Sequence, residues 1–471
     1  MGALTLTLHP QHALLTSTPL GGVTDTYTYN TFGELSTYQP SYGGSPQLKV
    51  QYTRDTLGRI TQKTETIGGT TTTTVYGYDP AGRLTNVTQD GTLVAHYDYD
   101  GNGNRLAVTR PGTGTVSGTY DAQDRLTAYE AITYTYTKNG DIESATSGGQ
   151  TTTYTYDVFG NLTAVTLPSG TQIEYVVDGQ NRRVGKKVNG TLTQGFLYSA
   201  QLRPVAELDG SGAVVARFVY GTKINVPEYM IKGGTTYRLL TDHLGSIRLV
   251  VDAATGTVAQ GLDYDEFGQI TQDTNPGFQP FGFAGGLYDQ HTKLTRFGAR
   301  DYDAFTGRWT TKDPIRFAGG DPNLFGYVLG DPVNWVDSLG YSTDVYVPDK
   351  YKHDHTGGAK GGHVDRYTKE GHHVGRYAKD GTPLDTGGRV SPIPNSDKTK
   401  FAKAASKLRA MAWLGLLSGL LEDYELWMRA LECGRTFGEQ AAEELRDAGP
   451  IIMGPFGPMP NPYWADPGRR A

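Results

Sequence analysis

One pattern constrains the fold of this chain more than any other: an aromatic-x-Tyr-Asp/Asn unit followed closely by Gly, a polar residue and Leu or Ile. Tyr27-Thr28-Tyr29-Asn30 leads to Gly33-Glu34-Leu35, and Tyr76-Gly77-Tyr78-Asp79 leads to Gly82-Arg83-Leu84. Tyr97-Asp98-Tyr99-Asp100 leads to Asn104-Arg105-Leu106, and Tyr154-Thr155-Tyr156-Asp157 to Gly160-Asn161-Leu162. Looser copies begin at Tyr52, Tyr120, Tyr134 and Tyr175, and a late one at Asp263-Tyr264-Asp265. Copies spaced by about 20 residues mark a repeat array. Tyr-x-Tyr sets two rings on one strand face, because side chains alternate with period two. Asp or Asn near Gly supplies the turn, and Leu or Ile re-enters the core on the return strand. Each unit needs its neighbours to bury that face, so packing is the first role expected of the rings. A carbohydrate-stacking surface is the alternative.

The 63 Gly and 31 Tyr suit short strands and tight turns. They also explain why only 37% of the 471 residues are hydrophobic, without invoking disorder. A single cysteine, Cys433, excludes an intrachain disulfide framework. Met1–Ser17 lacks the apolar run of a secretory signal, and Met411–Leu421 is too short to span a bilayer. Export therefore calls for a secretion apparatus or an additional N-terminal region. The net charge of -6 does not decide for or against nucleic acid, since an acidic carrier can mask a basic module.

From about residue 195 the rhythm gives way to an ordered string of short motifs. They include Thr241-Asp242-His243-Leu244-Gly245-Ser246-Ile247-Arg248, Phe297-Gly298-Ala299-Arg300-Asp301-Tyr302-Asp303 and Thr306-Gly307-Arg308-Trp309. Asp313-Pro314-Ile315 and Asp337-Ser338-Leu339-Gly340 close the string. On these motifs residues 24–340 resemble the Rhs/YD-repeat family, and 237–340 resemble its Rhs-associated core. The resemblance implies a mainly β fold, an antiparallel YD-hairpin shell capped by the core, with a small α+β C-terminal domain. About 320 residues of repeat and core predict an incomplete shell. The resemblance also implies a polymorphic toxin of interbacterial competition, secreted or displayed at the cell surface. Its core would act as an intramolecular aspartyl protease that releases a variable effector, and a cognate immunity protein would neutralise that effector. A non-enzymatic, carbohydrate-binding surface protein is the rival reading.

Carried over from the family, the self-cleavage residues fall on Arg300, Asp301 and Asp313, and Asp337 belongs to the closing motif. Asp301 and Asp313 form the expected acid pair, and the candidate scissile bond is Tyr341–Ser342. Two carboxylates sharing a site cannot both ionise, so one serves as acid while the other activates water. Three positions depart from the family pattern. Arg316 stands where Gly is usual, Ser338 replaces Pro, and Tyr341 replaces Leu.

After Tyr341 the tyrosine rhythm stops. Motifs and composition divide the chain into a repeat array (1–236), a core (237–341), a linker with a basic His-rich hairpin (342–397), and a helical segment with a Pro-rich tail (398–471). Residues 342–471 together form the candidate toxin. Within the hairpin, Gly362–Tyr367 and Gly371–Tyr377 read as two short strands, with His363, Asp365, His373 and Arg376 as candidate groups for metal-independent RNA cleavage. This stretch weakly resembles the colicin E3-like ribonuclease toxins. A metal nuclease using His363 and His373, and surface histidines on a basic hairpin, remain open beside it. No cofactor and no metal is assigned. Apolar residues near the 3.6 period in 398–446 predict amphipathic helices, with membrane action as the alternative, and 449–471 is expected to be irregular.

Overall fold

A computed structural model describes residues 4–10, 14–319 and 321–341, together with the backbone of strands Tyr351–Asp354, His363–Tyr367, His373–Ala378, Ile451–Gly454 and Gly457–Pro460. Between Thr7 and Asp273 lies a 27-stranded sheet. It is an antiparallel meander in which pairing passes from each strand to the next, stepping over the two-residue strand Ser45–Pro46. The ladder continues unbroken through residue 237, where Thr235–Thr241 pairs with both Tyr229–Lys232 and Ile247–Asp252. The motif boundary at 236/237 thus does not coincide with a break in the sheet.

The repeat is built as its residues dictate. At most turns the Asp or Asn carboxyl or amide oxygen caps the backbone two and four residues ahead. Asp55 Oδ1 accepts from the amides of Leu57 and Arg59, Asp100 Oδ1 from Asn102 and Asn104, and Asp157 Oδ1 from Phe159 and Asn161. The glycine that follows takes positive φ, as at Gly82 (91°), which any L residue would adopt only with strain. In six hairpins a tyrosine before the turn then bonds backward, whereas the buried hydroxyls of Tyr99 and Tyr156 make no such bond. The hydroxyls of Tyr29, Tyr78, Tyr120, Tyr136, Tyr198 and Tyr220 donate to the carbonyls of Leu15, Ile60, Arg105, Leu126, Arg183 and Pro204. Guanidinium groups lie over several of these rings, Arg59 on Tyr78 at 4.6 Å and Arg83 on Tyr99 at 4.9 Å. Rings so engaged link one repeat to the next, which is the packing role.

Residues Arg238–Thr241 and Ile247–Val251 are continuously buried, not alternately so. Leu240, Leu249 and Val251 join a core with Val50, Leu84 and Val108, while Leu239 and Val250 pack with Phe218, Leu262 and Phe281 on the other face. The sheet therefore rolls back on itself, and apolar runs replace alternation where both faces are covered. A buried arginine fixes the roll: Arg238 Nη2 donates to Asp25 Oδ2 (2.7 Å) and to the Thr18 hydroxyl (2.9 Å).

Residues 278–341 form a cap with its own four short strands, Leu287–Tyr288, Thr295–Phe297, Arg300–Asp303 and Arg308–Trp309. Its centre is aromatic: Phe283, Phe297, Tyr302, Trp309 and Tyr327 cluster together. The cap lies along the repeat turns. Asn334 Oδ1 accepts the Ile60 amide, and the Ile142 amide donates to the Thr310 carbonyl. The motif beginning at Thr241 serves this contact too, because His243 Nε2 bonds the Val333 carbonyl at 2.7 Å.

No helix among the described residues is long and apolar enough to cross a membrane. The expected helical segment 398–446 lies outside the described residues. Within the stretch expected to be irregular, Ile451–Gly454 pairs antiparallel with Gly457–Pro460.

Candidate functional site

The cap strand Arg300–Asp303 sends successive side chains to opposite sides, and that alternation organises the site. Arg300 is 2% exposed, and each of its three side-chain nitrogens donates. Its Nε donates to the Gly340 carbonyl at 2.6 Å and its Nη1 to the Leu324 carbonyl at 3.3 Å. Its Nη2 reaches both Asp313 Oδ2 and Asp337 Oδ2 at 3.1 Å. The two carboxylate oxygens therefore lie within twice that distance of each other. The Trp309 ring covers the flat face of the guanidinium, 4.1 Å from centroid to Cζ.

Asp337 also shapes the closing turn. Its Oδ1 accepts the amides of Gly340 (2.8 Å) and Tyr341 (3.2 Å). The turn presses onto the strand start: the Ala299 amide bonds the Leu339 carbonyl at 2.9 Å. A Cβ on Gly298 would sit 2.2 Å from that same carbonyl oxygen, so glycine is required for the approach. Arg300, Asp313, Asp337 and the chain leading to Tyr341 are thus brought together. Ser342, the other side of the candidate scissile bond, lies outside the described residues.

Burial pushes the Asp313 carboxyl up to about 6, opposed by Arg300 and by the Ile315 amide and aided by the negative charges of Asp337 and Asp321. Asp321 is likewise pushed up to about 6, chiefly by burial. Burial pulls the Arg300 guanidinium down, against the attraction of Asp337 and Asp313. Two carboxyls so placed form a pair in which Asp313 keeps its proton to higher pH than a free aspartate, up to about 6.

Asp301 is placed elsewhere. It is 1% exposed and held by two arginines, Arg183 Nη2 on Oδ1 (2.8 Å) and Arg296 Nη1 on Oδ2 (3.0 Å). The expected pairing of Asp301 with Asp313 is replaced by the pairing of Asp313 with Asp337 around Arg300. The physical reason is the strand pleat, which turns neighbours Arg300 and Asp301 away from each other.

Arg183, which no motif of the sequence singles out, is the repeat residue that holds Asp301. In the hairpin register it stands opposite Val177, where other repeats set Leu35, Leu84, Leu126 and Leu162 opposite a tyrosine. Arg105 holds the equivalent place opposite Tyr99, and Leu106, taken above as the core residue of that copy, is 40% exposed. Both buried arginines reach the cap, Arg105 through the Phe305 carbonyl and Arg183 through Asp301. An arginine at the leucine position of a repeat was the available signal.

Of the candidate effector residues, only backbone placement is described. His363–Tyr367 and His373–Ala378 pair antiparallel, with Asp365 opposite Arg376 and Tyr367 opposite His373 across a bulge. Tyr351–Asp354 adds a third strand, placing Lys352 opposite Asp365.

The sequence model of the Teneurin YD-shell family matches residues 1–319. Among curated proteins, zebrafish (Danio rerio) Teneurin-3 is 30% identical over 314 residues, 64% of this chain and 11% of its own length. The tRNA3(Ser)-specific nuclease WapA of Bacillus spizizenii is 29% identical over 235 residues, 48% of this chain and 10% of its own. Among solved structures, the TcdB2-TccC3 crystal structure superimposes with a TM-score of 0.60 at 18% identity, over 71% of this chain and 20% of the other. A Photorhabdus luminescens Tc holotoxin pore gives 0.57 at 17% identity, over 71% and 19%. The chain thus spans about a tenth of the length of these curated relatives, and the structural neighbours establish the fold alone.

Proposed function

The chain belongs to the teneurin YD-shell family, and from that premise we propose that it is the shell and cap of an Rhs-type polymorphic toxin that cuts itself after Tyr341. The observation that carries this reading is the convergence of Asp313 and Asp337 on one nitrogen of Arg300, beside the turn that delivers Tyr341. In the proposed step the ionised carboxylate takes a proton from water, which attacks the Tyr341 carbonyl carbon. The protonated carboxyl then donates to the leaving Ser342 nitrogen, and the C–N bond breaks. Arg300 keeps one carboxylate charged and holds Gly340, so the bond and the acids share a frame. Purified full-length chain is expected to yield two fragments, the smaller beginning at Ser342, and Asp313→Asn is expected to stay whole. An uncut wild-type chain across pH 4 to 8 would end this reading.

The segment after the cut is read as the effector, a ribonuclease acting through His363, Asp365, His373 and Arg376. Support comes from the nuclease description of WapA and from the antiparallel register that sets Asp365 opposite Arg376. Toxicity with RNA breakage on expression of the chain, both lost in His363→Ala, is the expected result; toxicity with intact RNA would exclude it. An immunity protein, a delivery apparatus and export from the producing cell complete the proposal.

A further inference from the structure

We propose that Asp301 and Arg308 are positioning residues that make the cutting centre depend on the seating of the cap on the repeats. The inference rests on the self-cleavage reading above and assigns these two residues no contact with the reacting atoms. Two neighbouring cap strands show the same division of labour. In Arg300–Asp303, Arg300 faces the acid pair, while its neighbour Asp301 is gripped by Arg183 from the repeat strand Arg183–Val188. In Arg308–Trp309, Trp309 lies against the Arg300 guanidinium, while its neighbour Arg308 grips the repeat turns. Arg308 Nη1 donates to Asn104 Oδ1 at 2.8 Å and Nη2 to the Asp124 carbonyl, and its guanidinium lies 4.8 Å from the Tyr120 ring.

The two strands also pair with each other, Tyr302 opposite Trp309 and Asp303 opposite Arg308. A shift of either strand off the repeats is therefore transmitted to the other. Such a shift moves Arg300 and the ring above it together, away from Asp313 and Asp337. Because successive residues of a strand point oppositely, one strand reads the repeat surface on one side and builds the site on the other. The grips are buried: Arg183, Asp301 and Arg308 are each no more than 6% exposed. They are accordingly broken only when the cap lifts. A chain whose cap has not seated holds Arg300 out of register and does not cut, which delays cleavage until the shell is assembled.

The experiment compares Asp301→Asn, Arg183→Gln and the double variant in the full chain, following cleavage from pH 4 to 8. Arg183 contributes nothing to the acid pair, so coupling predicts that Arg183→Gln slows cutting about as much as Asp301→Asn, by roughly 10-fold or more. The double variant is expected to be no slower than either single variant. With Arg300 loosened, the pH at which cleavage declines is expected to move upward in both, whereas mere loss of folded chain would lower the yield without moving it. Arg183→Lys, which keeps a cation on Asp301, is expected to restore most of the rate and guards against misfolding as the explanation. Wild-type cutting in Arg183→Gln beside an inert Asp301→Asn would overturn the coupling and return Asp301 to the chemistry. Absence of cutting in the unaltered chain would overturn the underlying self-cleavage reading, and this inference with it.

Discussion

Arg316 takes φ of 54°, in the turn where its amide bonds the Asp313 carbonyl. A left-handed conformation costs an L residue about 1 kcal/mol or more. Arg316→Gly is therefore expected to stabilise the cap by about 1 kcal/mol, read as a shift in denaturant midpoint. Asp331 carries a second residue-scale cost. Burial pushes its carboxyl from 3.8 to about 7, although Asn334 donates to it. Its folded form binds the proton more tightly than the unfolded form, so its contribution is fully present below pH 4 and is lost as pH rises through 7. Asp331→Asn is expected to abolish a decline in stability on the order of a few kcal/mol between pH 4 and 8, measured by melting across that range. For Asp313, pushed up to about 6, the same sign predicts that the proposed self-cleavage falls as pH rises past 6, read from fragment yield across that range. The strain at Arg316 was legible in the sequence, because a glycine position held by arginine announces it. The orientation of Asp301 was not: Arg300 and Asp301 are adjacent letters, and only the pleat sends them to different partners.

At the scale of the element, the repeat hairpin was almost wholly legible, since Tyr spacing, Asp turns and re-entering Leu each impose local geometry. What escaped was the register at 97–106, where Arg105 and not Leu106 takes the inward place. A buried arginine is tolerated there because the cap supplies the Phe305 carbonyl, a partner 200 positions away in sequence that no local pattern reveals. The backward-bonding tyrosines give a direct test of how repeats are joined. Tyr78 donates to the Ile60 carbonyl (2.6 Å) and also accepts from Asn334 Nδ2 (2.9 Å). Tyr220 makes the equivalent donation to Pro204. Tyr78→Phe is expected to cost about 2–3 kcal/mol and Tyr220→Phe about 1 kcal/mol, in equilibrium unfolding by urea.

At the scale of the molecule, the sheet is held in its roll by charges that have no water to fall back on. Arg238 is 0% exposed, and it binds Asp25 from the first strands and Glu228 from a neighbouring segment. Removing one partner of a buried pair leaves the other uncompensated, and Arg238→Met is expected to destabilise the shell by about 3–5 kcal/mol in calorimetry. The partners Asp25 and Arg238 are 213 positions apart. At synthesis rates of about 5–20 residues per second, the first strands wait roughly 10–40 s for the arginine that will cover them. During that interval Asp25 has the hydroxyl of Tyr38 but not its arginine, and the cluster around Val23 lacks Leu240, Leu249 and Val251. The latch that makes the finished shell durable is also the step at which a growing chain is most exposed to faulty pairing with its neighbours.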